Sequence, residues 1–336
     1  MLTLRRRTMI AALTGATIAA LGVTVASSRA DDRGPRVRDR GRIVVTHVTF
    51  RRECCATAAD VLTMNADGSD PRQLTHNDWG QVSQEPAWGR RGRIYFDGGP
   101  LDGLGHLFRM NANGRGLRQI TEGDGSECCA GPSPVDETIA FDGFFPAEAP
   151  DGAQGIYLTD DRGGSYEDFR RLTVAPAGGF DTGPNISPNG RKVAFRRVLS
   201  DAPGPDAMSA VFVVGLDGRG LRQLTPYSLD AAYPRWSPDG RRIAFSSNRD
   251  SHFDLQDIWV VNADGTGLMQ LTHGGPGNPS FLPDWSPDGR HLVYAHFLPT
   301  GFFTQLVVID ADGGNPRVIW QGADFTYDLR PDWGAP

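Results

Sequence analysis

The chain has 336 residues, of which 42 are glycine and 24 are proline, and its formal net charge is -6. So many turn-forming residues are typical of a chain of many short strands rather than long helices. Because nucleic acids and anionic membrane surfaces are negatively charged, the acidic balance argues against both as main partners, and we predict no nucleic-acid ligand.

The first segment, residues 1–30, has the composition of an export signal. Three arginines at positions 5–7 precede an apolar stretch from Met9 to Ala26, and small residues follow at Ser28 and Ala30. The order Arg-Arg-Thr-Met-Ile also resembles a twin-arginine signal, so the Sec and twin-arginine routes both stay open. The alternative is an uncleaved membrane anchor, since the stretch is close to spanning length. We predict export to the periplasm or the extracellular space, with no membrane span after signal removal.

Residues 31–41 form a charged linker, and from residue 42 a unit of four short apolar runs recurs. In its clearest copy the first run ends at Trp236, and the others are Arg242–Ser247, Asp257–Asn262 and Leu268–Thr272. Between them lie Ser-Pro-Asp-Gly and Asn-Ala-Asp-Gly, tight turns in which proline fixes φ and glycine accepts a positive φ. The pattern predicts an antiparallel meander of four strands, here named a, b, c and d.

This unit recurs six times, at the spacing of propeller blades. The glycine after strand c marks each copy: Gly68, Gly114, Gly163, Gly218, Gly265 and Gly313. The first copy begins at strand b, Arg42–Val45, and the chain ends on a strand a, Arg330–Trp333. We therefore predict an all-β fold over residues 42–336, a six-bladed β-propeller of four-stranded antiparallel blades. The C-terminal strand joins blade 1 and closes the ring, which leaves no exposed sheet edge and favours a monomer.

The residues that define the unit resemble the TolB-type propeller repeat. They are Pro-Arg-Trp-Ser-Pro-Asp-Gly from Pro234, Ile-Ala-Phe from Ile243, Asn-Ala-Asp-Gly from Asn262 and Gln-Leu-Thr from Gln270. The resemblance covers roughly residues 42–336. TolB proper carries an α/β domain ahead of its propeller, and this sequence shows no counterpart. The resemblance therefore implies the fold, but not the TolB role of binding a peptidoglycan-associated lipoprotein.

Function is expected on the end of the blades that carries the b–c loops and the links between blades, which we call the loop face. Variable loops on a rigid scaffold are the usual place for binding sites. The b–c loops are residues 51–59, 99–105, 144–154, 198–209, 249–256 and 298–303. Aromatic rings beside carboxylates suit a sugar or a peptide, and the alternative is ordinary solvated loops. The candidate binding residues are His47, Phe144, Phe145, Asp250, His252, Asp254 and His296.

Two of these candidates, His47 and His296, occupy the same repeat position in neighbouring blades. One hypothesis is a metal or proton-transfer site, since a neutral imidazole is a good ligand. The other is a hydrogen-bonded pair in the core. We predict no cofactor, and a divalent metal enters only with the first hypothesis.

The four cysteines, Cys54, Cys55, Cys128 and Cys129, form two adjacent pairs on the loop face. In an exported protein an even number of cysteines predicts disulfides. Three pairings stay open, and one of them consists of two bridges between neighbouring residues. A thiolate metal site is the alternative, although the spacing differs from the Cys-x-x-Cys of zinc sites.

These features favour an exported, non-catalytic propeller scaffold that binds an envelope protein, a secreted protein or a glycan through the loop face. The sequence contains no Gly-x-Ser-x-Gly, no His-Glu-x-x-His and no phosphate-binding glycine loop. The alternative is a metal-assisted lyase or hydrolase acting on acidic oligosaccharides, because some TolB-like propellers resemble oligogalacturonate lyases with a histidine-held metal. A third hypothesis is a structural component of the envelope without a small ligand.

Overall fold

The computed structural model describes residues 41–50, 57–145, 154–200, 208–248, 256–275, 277–298, 303–323 and 326–334. These residues are almost entirely strands and turns. Their helical elements are three single turns of 3-10 helix, Arg90–Gly92, Tyr166–Asp168 and Tyr227–Leu229. Runs rich in valine, isoleucine and aromatic residues, separated by glycine and proline, account for this content. The predicted all-β fold class is confirmed.

The described residues contain 24 strands. The first twelve are β1 (Arg42–Phe50), β2 (Thr57–Asn65), β3 (Arg72–Gln73), β4 (Gln81–Trp88), β5 (Arg93–Pro100), β6 (His106–Asn111), β7 (Arg118–Gln119), β8 (Ser126–Pro132), β9 (Thr138–Phe144), β10 (Gly155–Asp160), β11 (Arg170–Arg171) and β12 (Phe180–Ile186). The others are β13 (Lys192–Ser200), β14 (Met208–Gly215), β15 (Arg222–Gln223), β16 (Ala231–Trp236), β17 (Arg242–Ser247), β18 (Asp257–Asn262), β19 (Met269–Gln270), β20 (Ser280–Trp285), β21 (His291–Leu298), β22 (Phe303–Asp310), β23 (Arg317–Gln321) and β24 (Thr326–Gly334).

The strands form four antiparallel sheets of four strands and one sheet of eight. The four-stranded sheets are β8–β11, β12–β15, β16–β19 and β20–β23. The larger sheet consists of two antiparallel groups, β24-β1-β2-β3 and β4–β7, joined by the parallel pair of Ala59 and Val82. Each group of four strands is the meander that the repeat predicted.

The C-terminal strand lies beside the first strand of the repeat. Strand β24 pairs antiparallel with β1, in a register that runs from Arg42 opposite Gly334 to Thr49 opposite Thr326. The first strand of this group thus comes from the C-terminal part of the repeat region, and the second comes from its N-terminal part. This pairing was predicted, because the first copy of the repeat lacks a strand a and an additional strand a follows the last copy.

Strand d is shorter than the sequence predicted. In the clearest copy, β17 and β18 have the predicted bounds, but β19 covers only Met269 and Gln270. Two of its residues pair with β18 through the backbone. Beyond them the side chain of Thr272 replaces the backbone hydrogen bond, because its Oγ1 accepts the backbone N–H of Ile258 at 2.9 Å. Thr75, Thr121, Thr173 and Thr225 accept a backbone N–H in the same way.

The core lies between neighbouring sheets. One cluster packs Val211 and Val213 of β14 against Trp236 and Phe245 of the next sheet. The recurring tryptophans Trp236, Trp285 and Trp333 are at most 7% exposed, as blade-packing residues should be. Each buried side chain of this size contributes on the order of 1.5–3 kcal/mol through apolar burial.

Candidate functional site

The first strand of each four-stranded group contains one bulge. At this point the pairing with the second strand slips, and one residue adopts a left-handed backbone conformation. In five of the six groups the following residue is proline, which has no N–H for the ladder and so favours a bulge. The six residues with positive φ are Glu85, Cys129, Gly183, Tyr233, Leu282 and Arg330.

The bulges bring side chains from several sheets together. Arg330 Nη2 lies 2.6 Å from Glu85 Oε1, and the Arg330 guanidinium lies 4.0 Å from the centre of the Tyr233 ring. The carboxylate of Glu85 and the thiol of Cys129 are within 4.8 Å of each other. Residues from β24, β4, β16 and β8 therefore meet at one place, which we call the bulge cluster.

Burial decides the charges of the bulge cluster. The Arg330 and Glu85 side chains are 10% and 13% exposed. Burial lowers the pKa of Arg330, but the charge of the Glu85 carboxylate, together with smaller contributions from neighbouring side chains, outweighs this effect. The net pKa is raised above its usual value, so the guanidinium stays charged. Burial, together with the charge of Glu85, raises the pKa of Asp142 to about 7. A buried ion pair of this kind needs both partners, because either charge alone would be costly.

Two cysteines complete the bulge cluster. The Sγ atoms of Cys128 and Cys129 lie 2.6 Å apart, and both residues are free thiols. The hydrogen bond between the thiols and burial raise the pKa of Cys128, and burial raises the pKa of Cys129. Among the described residues, Glu85, Cys128 and Cys129 are the group of three that could hold a metal ion. The other two candidates, Cys54 and Cys55, lie outside the described residues.

Two further carboxylates connect the first strands. Asp284 Oδ2 accepts the backbone N–H of Trp333 at 2.7 Å, and Asp332 Oδ1 accepts that of Trp88 at 3.0 Å. Burial raises the pKa of both carboxyl groups, and the charge of Asp332 raises that of Asp284 further. These aspartates follow the proline of the bulge, so the repeat itself places them between neighbouring sheets.

His47 lies closer to the loop face, opposite Asp328 in the register of β1 and β24. Its Nδ1 is 2.7 Å from Asp328 Oδ1, and Trp320 Nε1 donates to the other carboxylate oxygen at 2.9 Å. Burial lowers the pKa of His47, but the hydrogen bond and the charge of Asp328 outweigh it and raise the pKa above its usual value. The carboxylate therefore orients the ring, and the His47 side chain keeps 21% of its surface exposed.

His296 occupies the equivalent position in the preceding sheet, opposite Ser280. Its Nδ1 lies 3.1 Å from Ser280 Oγ, and burial lowers its pKa. Each of the two histidines is thus hydrogen bonded to its own first strand. Within the part of the chain that the structure describes, neither belongs to a group of three metal-ligand residues.

Sequence reasoning missed two more pairs of this kind. His106 Nδ1 lies 2.8 Å from Glu127 Oε2, and Arg197 contacts Asp181 at 2.7 Å. Asp181 and Arg197 are cross-strand partners, and they occupy the position in their sheet that Asp328 and His47 occupy in theirs. The repeat alignment reveals Arg197 at this position, but its partner lies in the less regular start of strand a, where no motif marks it.

The candidate aromatic residues have different positions. Phe145 is 1% exposed, and its ring lies 4.9 Å from the rings of Tyr157 and Tyr166. Phe145 is therefore a core residue, and the structure removes it from the candidate binding residues, because its ring is enclosed by other aromatic rings. Phe144 is half-buried at the end of β9. Asp250, His252 and Asp254 lie outside the residues that the structure describes.

Two exposed apolar side chains on the loop face were also missed. Trp79, in the link that follows the first copy, is 39% exposed, and Leu104, in the next b–c loop, is 44% exposed. The two segments are joined by a hydrogen bond of 2.8 Å from Leu101 N to Gly80 O. The other links between blades have no tryptophan at the position of Trp79. This difference between the copies is the sequence feature that could have identified Trp79 as a candidate.

Within the described residues, no helix has both the length and the apolar character needed to cross a membrane.

Comparisons with known proteins agree with this architecture. The family profile of the TolB beta propeller domain matches residues 166–324. The solved structure of a putative TolB from Agrobacterium tumefaciens has a TM-score of 0.60 at 18% identity, over 88% of this chain and 99% of that one. TolB from Acinetobacter baumannii has a TM-score of 0.66 at 19% identity, over 88% and 67%. The predicted TolB-type propeller repeat is confirmed, and identities this low show the fold alone.

The curated relatives are matched over short stretches. Dipeptidyl-peptidase 5 of Porphyromonas endodontalis is 36% identical over 111 residues, which is 33% of this chain and 15% of that protein. The chain thus matches well under two thirds of the length of this relative.

Proposed function

We propose that the protein is an exported TolB-type propeller that binds another protein through its loop face and catalyses no reaction itself. The observation that carries the proposal is the exposure of two apolar side chains on that face, Trp79 and Leu104. Exposed tryptophan is enriched among the residues that dominate binding energy at protein interfaces.

The proposal includes a closed ring of six blades. Contacts between the first strands support it, because β24, β4, β8, β12, β16 and β20 each touch the next in this order and β20 touches β24 again. Backbone hydrogen bonds accepted by Asp332, Asn185 and Asp284 from the following first strand also support it. A closed ring holds the loops of the loop face at fixed distances, which pre-organises a binding surface.

Polar groups elsewhere on the loop face also suit a protein partner. The partly exposed imidazoles of His47 and His106, 21% and 19% exposed, offer polar atoms on the same face. An apolar anchor with a polar surround is the usual anatomy of a protein interface. Export is supported by the signal-like residues 1–30 and by the TolB names of the structural neighbours.

The arrangement of Ser280 and His296 is the feature closest to catalytic chemistry, because a serine hydrogen bonded to an imidazole could act as a nucleophile with its base. Ser280 is 2% exposed, however, and its hydroxyl also interacts with Tyr294. A nucleophile so enclosed cannot meet a substrate, and we assign this pair to the stability of the sheet. The peptidase name of one relative belongs to a protein of which 15% is matched.

Affinity capture from cell-envelope extract tests the proposal. We expect wild-type protein to retain a partner protein, Trp79→Ala to lose it, and Leu117→Ala to keep it. Leu117 is a matched control, because it is 58% exposed at the opposite end of the blade. Equal retention by all three proteins would contradict a loop-face interface. Hydrolysis of peptides or oligosaccharides that disappears in Ser280→Ala would contradict a non-catalytic protein.

A further inference from the structure

We propose that Cys128 and Cys129 form a disulfide bond with each other and that this bridge between neighbouring residues is a redox-sensitive part of the bulge cluster. The inference concerns the state of the cluster and does not depend on which partner binds the loop face.

The distance between the sulfur atoms carries the proposal. The Sγ atoms lie 2.6 Å apart. A disulfide bond is about 2.0 Å long, so closing it needs a movement of well under 1 Å. Two thiolates on one zinc ion, with bonds of about 2.3 Å in a tetrahedron, would stand much farther apart. The geometry therefore favours a bond between the two sulfurs over a metal between them.

The electrostatics of the cluster agree with this choice. Metal binding needs thiolates, but the hydrogen bond to Cys129 and burial raise the pKa of Cys128, and burial raises the pKa of Cys129, so both thiols stay protonated. The third donor of a metal site would be Glu85, whose carboxylate already pairs with Arg330 at 2.6 Å. A disulfide needs neither a third donor nor a lasting thiolate.

The bridge would also select one of the pairings that the sequence left open. The chain has four cysteines. A bond between Cys128 and Cys129 leaves Cys54 and Cys55 only each other as intramolecular partners. No bond between the loop of residues 51–56 and β8 is then expected.

Oxidation would change the charge of the cluster as well as its covalent structure. The two thiols pass two protons and two electrons to a two-electron oxidant, such as a disulfide or an azo compound, as the sulfur–sulfur bond forms. Cys129 then has no S–H to donate to Asp142, and that hydrogen bond holds down the pKa of this carboxyl group. We expect the pKa of Asp142 to rise above about 7 in the oxidised protein and to return when the bridge is reduced.

Neighbouring residues make such a bridge easy to reduce. Their Cα atoms are about 3.8 Å apart, whereas most disulfides join Cα atoms about 4.4–6.8 Å apart. Strained bridges of this kind are typically the labile and regulatory ones. The bulge cluster therefore has the properties of a reversible switch and not only of a structural crosslink.

Peptide mapping tests the pairing. The reduced, native, full-length protein is treated with diamide, whose nitrogen–nitrogen double bond takes up the two protons and two electrons. Free thiols are then alkylated in denaturant, and the protein is digested with trypsin without reductant. Cleavage at arginine separates a peptide of residues 53–72 from a peptide of residues 119–162. We expect the second peptide unlinked, unalkylated and lighter than its reduced form by two hydrogen atoms.

Other outcomes would overturn the proposal: the two peptides joined, both Cys128 and Cys129 alkylated, or a thiol-bound metal that blocks oxidation. The control is Cys54→Ser with Cys55→Ser, in which the bridge should form unchanged. Asp142 provides a second readout by NMR titration. Its pKa should rise on oxidation and in Cys129→Ala, but stay near the reduced value in Cys129→Ser, which keeps a donor. An Asp142 pKa that is the same in the reduced and the oxidised protein would contradict the proposed coupling between the bridge and this carboxyl group.

Discussion

At the scale of single residues, the cross-strand position next to the loop face holds a different pair in different sheets. His47 faces Asp328, Arg197 faces Asp181, and His296 faces Ser280. The backbone is the same in each case, but the charges differ. The repeat fixes where such a side chain stands, and its partner fixes how it titrates.

The first prediction concerns the pH dependence of stability through His47. Because Asp328 raises the folded-state pKa of His47 above its unfolded value, protonated His47 stabilises the fold below about pH 6.5. This stabilisation is lost as the pH rises through the folded pKa. We expect Asp328→Asn to cost about 1–3 kcal/mol at low pH and less at high pH. Urea unfolding across the pH range measures the difference.

Ser280→Ala is the matched control, because Ser280 occupies the position of Asp328 beside His296 but carries no charge. It should leave the NMR titration of His47 unchanged. A loss of stability in Asp328→Asn that is the same at every pH would contradict the assigned role of His47.

The second prediction concerns the buried ion pair of Glu85 and Arg330. Removing one partner leaves the other charge buried and unpaired, which costs about 3–5 kcal/mol. We expect Glu85→Gln and Arg330→Met each to lose stability in this range, and the double variant to lose clearly less than the sum. Denaturant unfolding of the four proteins gives the coupling energy. Additive losses would show that the two side chains do not interact in the folded protein.

The sequence could not predict the bulge cluster, although it predicted the strands that carry it. Proline after the bulge is visible in the repeat, but the bulge residues Glu85, Cys129, Tyr233 and Arg330 share no residue type. Their contact depends on how the first strands of separate sheets meet, which no local pattern encodes. Phe145 was misjudged for a related reason. Its sequence position is typical of a loop, but its side chain is buried in the aromatic core.

At the scale of strands and sheets, local patterns were sufficient. Turn residues and apolar runs predicted the bounds of β17 and β18 to the residue. Strand d was overpredicted, because the threonine that ends it replaces backbone pairing by a side-chain hydrogen bond. The partner of β1 was predictable only because one strand is missing from the first copy and one is surplus at the end.

The third prediction concerns that last strand. Deleting residues 326–336 removes β24 and leaves the edge of β1 unpaired, and an exposed edge tends to pair with another molecule. We expect the shortened protein to self-associate and to unfold at lower temperature. Sedimentation and thermal unfolding measure both effects, and deletion of residues 335–336 alone is the control. A monomeric, equally stable protein without β24 would contradict ring closure.

At the scale of the whole molecule, the repeat explains the architecture but not the binding surface. Residues that recur between copies serve the blades, as the tryptophans Trp236, Trp285 and Trp333 do. Residues without counterparts, such as the exposed Trp79, are the candidates for contacting a partner. In a repeat protein, a comparison of the copies therefore distinguishes scaffold residues from candidate functional residues. The structure is still needed to show which of the unrepeated residues are exposed.

Site-specific photo-crosslinking in living cells tests the central claim most directly. A photoreactive amino acid is placed at Trp79 or Leu104 on the loop face, and at Leu117 or Leu221 at the opposite end, where the side chains are 58% and 48% exposed. We expect a discrete crosslinked protein from Trp79 and Leu104 and none from Leu117 and Leu221. Crosslinks from the opposite end alone, or from none of the four positions, would contradict a propeller that binds a protein through its loop face.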